Sequence, residues 1–157
     1  MGKAMFYHLT RRSLEETLAM LLGKANVAGW RVLVRGASQD RMDWLDEKLW
    51  LMDDAGFLPH GQVGGEHDAL QPVLLSAKPA CPDGVVCVMS VDGADVLPEE
   101  VQAMERVCVL FDGNDPDALG TARSQWKALT SAGVAAEYWS EESGNWQKKA
   151  ESQSRDP

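Results

Sequence analysis

The feature that most constrains this chain is the alternation of short apolar runs with segments of helical period. Arg31 to Arg35 (RVLVR) is a compact apolar run closed by Gly36, the kind of strand that lies buried in a parallel sheet. Met5 to Leu9 (MFYHL), Pro72 to Ser76 (PVLLS), Val85 to Met89 (VVCVM), Val107 to Phe111 (VCVLF) and Val134 to Trp139 (VAAEYW) read as further strands. Between them Ser13 to Glu16 (SLEE) forms a capping box that opens a helix, with Leu14, Leu18, Leu21, Ala25 and Ala28 on one face and Gly29 at its end. Ser38 caps a second helix, whose inner stripe is Met42, Leu45, Leu49 and Met52. Strands alternating with helices give an α/β fold.

The rest of the chain divides into loops and one further helix. Gly61 to Gln71 is a polar, glycine-rich loop, Lys78 to Gly84 a turn, and Asp92 to Gln102 an acidic loop with a helical turn after Pro98. Asn145 to Ala150 (NWQKKA) is expected to form one terminal helical turn, with Trp146 folded back onto the body. With no internal repeat or linker, residues 1–150 form one domain, and residues 151–157 (ESQSRDP), which lack an apolar anchor, form a disordered tail.

Residues 115 to 132 (DPDALGTARSQWKALTSA) carry the most suggestive pattern. Asp115 is placed as N-cap and Pro116 in the first helical position, where its missing N–H costs nothing. Ala118, Leu119, Ala122 and Leu129 make the core face; Arg123 and Lys127 stack on its flank, with Trp126 between flank and core. Like charges four residues apart cost a few tenths of a kcal/mol, roughly, and no acid on the same strip relieves them. The strip is either a solvated basic edge with a half-buried tryptophan or a small docking site for an anion and an aromatic group.

Charge narrows the choice of anion. The net charge of -9 argues against direct DNA binding, because Lys and Arg contacts to phosphate supply most of such affinity. The balance is uneven: residues 1–35 carry net +4, residues 36–120 net -13 and residues 121–157 net zero. An anion site therefore needs the two ends of the chain to meet. No signal peptide or membrane-length apolar run is present, and Cys81, Cys87 and Cys108 form no disulfide-like framework, which suits a cytoplasmic protein.

Catalytic and cofactor motifs are missing, and no cofactor is expected. His8, His60 and His67 have no metal-ligand spacing, and the loop cluster of His60, Glu66, His67 and Asp68 reads as solvated. Gly23-Lys24 lacks the glycine spacing of a P-loop, and Gly61, Gly64 and Gly65 do not make a GxGxxG turn after a strand. Asp112, at the end of VCVLF, stands where open α/β sheets bind ligands, but it reads as a turn residue.

FYHL (Phe6 to Leu9), LDEKLW (Leu45 to Trp50), FLPH (Phe57 to His60), ARSQWKALTSAG (Ala122 to Gly133) and the late Trp146 together resemble the chi subunit of bacterial DNA polymerase III holoenzyme, over almost the whole chain. The resemblance implies a Rossmann-like, three-layer α/β domain with a mostly parallel sheet and no P-loop. It implies a non-catalytic clamp-loader accessory that grips the acidic C-terminal tail of single-stranded DNA-binding protein, a peptide ending in Pro-Phe and a free carboxylate. Arg123, Trp126 and Lys127 match the family's tail-binding positions, and Trp50 and Phe57 match its contact for the psi subunit or a helicase. Trp50 lies roughly 100° from the Leu45/Leu49 stripe, which independently suggests partial exposure. Phe57 could equally staple its own loop. The segment between Trp139 and Trp146 and the last seven residues are particular to this chain. The competing reading is a degenerate nucleotide-binding domain that takes a small phosphorylated ligand near Asp112 and Asn114.

Overall fold

The computed structural model describes residues 2–51, 60–62, 72–78, 81–141 and 146–152, with backbone only at Trp50 and Leu51. Strands β1 (Lys3–Leu9), β2 (Val32–Arg35), β3 (His60–Gln62), β4 (Val73–Ser76), β5 (Cys87–Ser90), β6 (Arg106–Asp112), β7 (Ala135–Ser140) and β8 (Gln147–Ser152) make one sheet in the order β3-β4-β2-β5-β6-β1-β7-β8. Every pairing is parallel except β7 with β8. Helices α1 (Leu14–Val27), α2 (Gln39–Leu51), α3 (Pro98–Ala103) and α4 (Pro116–Ser131) cover both faces, giving the three-layer α/β architecture.

The unbroken apolar runs follow from this double cover. In β6, Cys108 and Leu110 join Leu18 and Leu22 of α1 and Met42 and Leu45 of α2 in one core. The alternate residues Val107, Val109 and Phe111 join Val101 of α3 and Ala122 and Leu129 of α4 in the other. Side chains alternate across a strand, so a strand with two dry faces has no position where a polar residue costs little. Cys87 and Cys108 are free thiols inside these layers, where cysteine packs as a small hydrophobe; contact with Cys87 and burial push the Cys108 thiol up.

Local signals explain most helix boundaries. Both bonds of the Ser13/Glu16 capping box form, and Gly29, at φ 77°, ends α1 in the left-handed region that glycine adopts freely. Ala28 is exposed as the C-cap, because the helix stops at Val27, and Leu22, four residues after Leu18, joins Leu21 and Ala25 on the buried face. In α4 the Asp115 side chain accepts a hydrogen bond from the Asp117 N–H at 3.0 Å, ahead of Pro116. Met52 lies outside the described residues.

Two short elements depart from the sequence expectation. Gln147–Ser152, where a helical turn is expected, is a strand, β8, which takes in Glu151 and Ser152 of the expected tail; the tail's residues 153–157 lie outside the described residues. A single turn of helix carries the full nucleation cost, whereas β8 satisfies the otherwise open edge of β7. Trp146 does fold back, edge-on to Tyr7 at 5.4 Å. His60 to Gln62, assigned to the polar loop and its approach, pairs with β4 as the other sheet edge. His60 is correspondingly 3% exposed, not solvated, with its Nε2 3.2 Å from the Asp46 carbonyl oxygen.

Candidate functional site

The topology brings the chain's two ends together. β1 lies between β6 and β7, so the register places Phe6 beside Tyr138 and His8 beside Ser140. On the α4 face of this corner the side chains form a connected aromatic set. Trp126 stands edge-on to Phe6 at 5.4 Å and to Tyr138 at 6.0 Å. His8 Nδ1 and the Tyr138 hydroxyl are 2.7 Å apart in a hydrogen bond. Phe6 is fully buried and Trp126 half-buried, so the tryptophan is anchored at one side and open to solvent at the other. Each such ring pair adds about 0.5–1.5 kcal/mol beyond area burial.

This corner opens into a groove of about 530 Å³. Its floor and one wall are Trp126, Tyr138 and His8, and Arg123 stands one turn before Trp126 on α4. Ser140, Lys149 and Ala150 complete it from β7 and β8. Arg123 and Lys149 are exposed, and neither forms an ion pair with a described residue. The groove therefore offers an aromatic surface with two cations that have no ion-pair partner among the described residues. Lys127 is exposed on the next turn and is not among the groove's lining residues.

Sequence reasoning selected Arg123 and Trp126 but missed His8, Tyr138, Ser140 and Lys149. For His8 a signal existed: it lies two residues after Phe6, so it shares the face of that core aromatic. Nothing local marks Lys149, whose place depends on pairing with β7. Trp50 falls in the last turn of α2, and Phe57 lies outside the described residues.

A larger cleft of about 770 Å³ lies at the carboxyl ends of β1 and β6. The chain leaves β1 through α1 on one face and β6 through α4 on the other, and open α/β sheets bind ligands at such a switch point. Asp112 and Asn114 line it. The Asp112 carboxylate accepts a hydrogen bond from the Asn114 N–H at 2.9 Å, the behaviour of a turn residue. The backbone N–H groups after β1, which in a nucleotide-binding domain would face a phosphate, are already engaged. Thr10, Arg11 and Arg12 donate to Glu141 Oε1 at 3.2, 2.9 and 2.8 Å, and Glu141 is 1% exposed. The protein's own carboxylate occupies the cradle, and the charges around the cleft are mixed: Asp92 is paired with Arg41 at 3.0 Å, and Asp112, Asp115 and Asp117 line it together with Arg11 and Arg12.

Among the described residues, no group of three or more His, Cys, Asp or Glu side chains is placed to hold a metal ion, and no helix is long and apolar enough to cross a membrane. Glu66, His67 and Asp68 lie outside the described residues.

A comparison with curated proteins gave no match. A family model described as "DNA polymerase III chi subunit, HolC" matches residues 1–137, which include β1, the whole of α4 and the start of β7. With that span matched, the chain belongs to the chi subunit family of DNA polymerase III, a family of replicative accessory subunits.

Proposed function

We propose that this accessory subunit is a non-catalytic adaptor that binds the acidic C-terminal tail of single-stranded DNA-binding protein and so links it to the clamp-loader complex. The observation that carries the reading is the groove beside α4, where an anchored aromatic wall adjoins exposed cations that pair with no acid among the described residues. A terminal phenylalanine packs on Trp126 and Tyr138, and the peptide's carboxylates engage Arg123 and, one turn on, Lys127. The net charge of -9 supports a protein anion over bare DNA. The amides committed to Glu141 weigh against a phosphorylated ligand in the larger cleft.

Titration calorimetry with an acidic peptide ending in Pro-Phe tests this. Micromolar affinity, about -8 kcal/mol, is expected, with a loss of about ten-fold on amidating the terminal carboxylate. Arg123→Ala and Lys127→Ala should each weaken binding. If both bind as the parent does, the assignment fails.

Trp50 and Phe57 form the proposed contact for the psi subunit or a helicase. Changing both to serine should abolish capture of purified psi, or of the helicase, and leave tail binding intact. Loss of tail binding instead would merge the two sites into one.

A further inference from the structure

We infer that Lys149, delivered by a β-bulge in the C-terminal strand, is a cationic arm of the peptide groove; the inference rests on the tail-binding reading above. The pairing of β7 with β8 is regular except at one step. Tyr138 pairs with Ala150 and Trp139 with Lys148, leaving Lys149 without a partner on β7. In an unbroken ladder, neighbouring side chains point to opposite faces, so Lys149 and Ala150 could not both serve one surface. Here both line the groove. A bulge is the device that re-aims a side chain in this way.

The two adjacent lysines consequently have different environments. Lys148 Nζ pairs with Glu151 at 3.1 Å and also helps to hold the Glu137 carboxyl below its ordinary range, behind Lys3, which leads that effect. Lys149 is exposed and pairs with no described acid. Arg123 lines the same groove from α4, also without such an acid. Two cations with no ion-pair partner among the described residues, lining one groove with Trp126 and Tyr138, fit an acidic peptide that carries an aromatic residue. The family match ends at residue 137, so this arm belongs to the part of the chain beyond the shared core. Lysines on an edge strand also discourage edge-to-edge association; that role would make Lys148 and Lys149 equivalent, whereas the bulge makes them different.

The test is fluorescence anisotropy of a labelled acidic peptide ending in Pro-Phe, titrated with the full chain and with Lys149→Ala, Lys149→Arg and Lys148→Ala. Lys149→Ala should weaken binding about five-fold and flatten its salt dependence, as loss of one solvent-accessible ion pair requires. Lys149→Arg should retain most of the affinity, and Lys148→Ala should stay close to the parent. Equal effects of the two alanine variants would overturn the inference, since only net charge would then matter. Loss with Arg123→Ala but none with Lys149→Ala would refute the arm and leave the tail site standing. Failure of the parent to bind would remove both.

Discussion

Removing the Glu141 carboxylate should be among the most damaging single changes available in the β1–α1 turn. The residue follows directly on β7 and ties the turn after β1 to the far end of the chain through three N–H donors. Its second oxygen lies 3.7 Å from an Arg12 guanidinium nitrogen. Burial by itself would raise the carboxyl, but the N–H bonds from Arg12, Arg11 and Thr10 reverse that and hold it below its ordinary range. In Glu141→Ala each N–H loses an ionised acceptor, worth about 1.5–3 kcal/mol per bond. Thr10, Arg11 and Arg12 line the larger cleft, so water reaches them, and a net cost of about 3 kcal/mol is expected rather than the full sum. For a chain of this size that lowers Tm by roughly 6–12 °C. Because the folded-state carboxyl is depressed, its contribution is complete above the unfolded glutamate value of about 4.3 and disappears as pH falls through the lower folded value. Calorimetric melts of parent and variant should therefore differ most near neutral pH and converge in acid. The emptied cradle should also accept inorganic phosphate, raising the variant's Tm by mass action while leaving the parent unmoved. A Tm within 2 °C or so of the parent at neutral pH, or a gap that widens in acid, would refute the reasoning.

Glu100→Ala should cost about 3–5 kcal/mol in urea denaturation, because Arg35, only 5% exposed, loses both arms of a bidentate pair at 2.6 Å. Replacing the pair together, Arg35→Met with Glu100→Leu, should recover most of that loss. Gly113→Ala places a Cβ against the His8 ring; it should cost about 1–3 kcal/mol and weaken peptide binding by displacing the hydrogen bond between His8 and Tyr138. Unchanged melting and unchanged affinity would contradict that packing. Tail binding should weaken steadily as salt rises, since the groove's cations are exposed, and a salt-independent affinity would point to an apolar contact alone.

The elements with contiguous signatures were legible before the structure. The Ser13/Glu16 capping box, the Asp115-Pro116 start of α4 and the apolar runs of the central strands each depend on neighbouring residues, and each forms where the sequence places it. The exceptions are the two sheet edges. β3 (HGQ) and β8 (QKKAES) carry no apolar alternation, because an edge strand is specified by the partner whose backbone groups it satisfies. The candidate site divides the same way. Arg123 and Trp126 share one helical turn and could be read as a pair, while His8, Tyr138 and Lys149 reach that helix from three different strands.

By itself, then, the sequence determined an α/β order of elements, the two-sided burial of the central strands, an acidic molecule with a cationic strip on one helix, and membership of the chi family. Helical period, capping and burial pattern are properties of adjacent residues, so they survive in one dimension. Only the tertiary structure decided that His8 and Tyr138, 130 positions apart, share a hydrogen bond in the lining of the groove. It likewise decided that Glu141 fills the amide cradle after β1 and that Lys149, the residue at the one-residue bulge, lines the groove with Arg123 while Lys148 does not. Those outcomes depend on strand order and register, and a shift of one residue reverses every face.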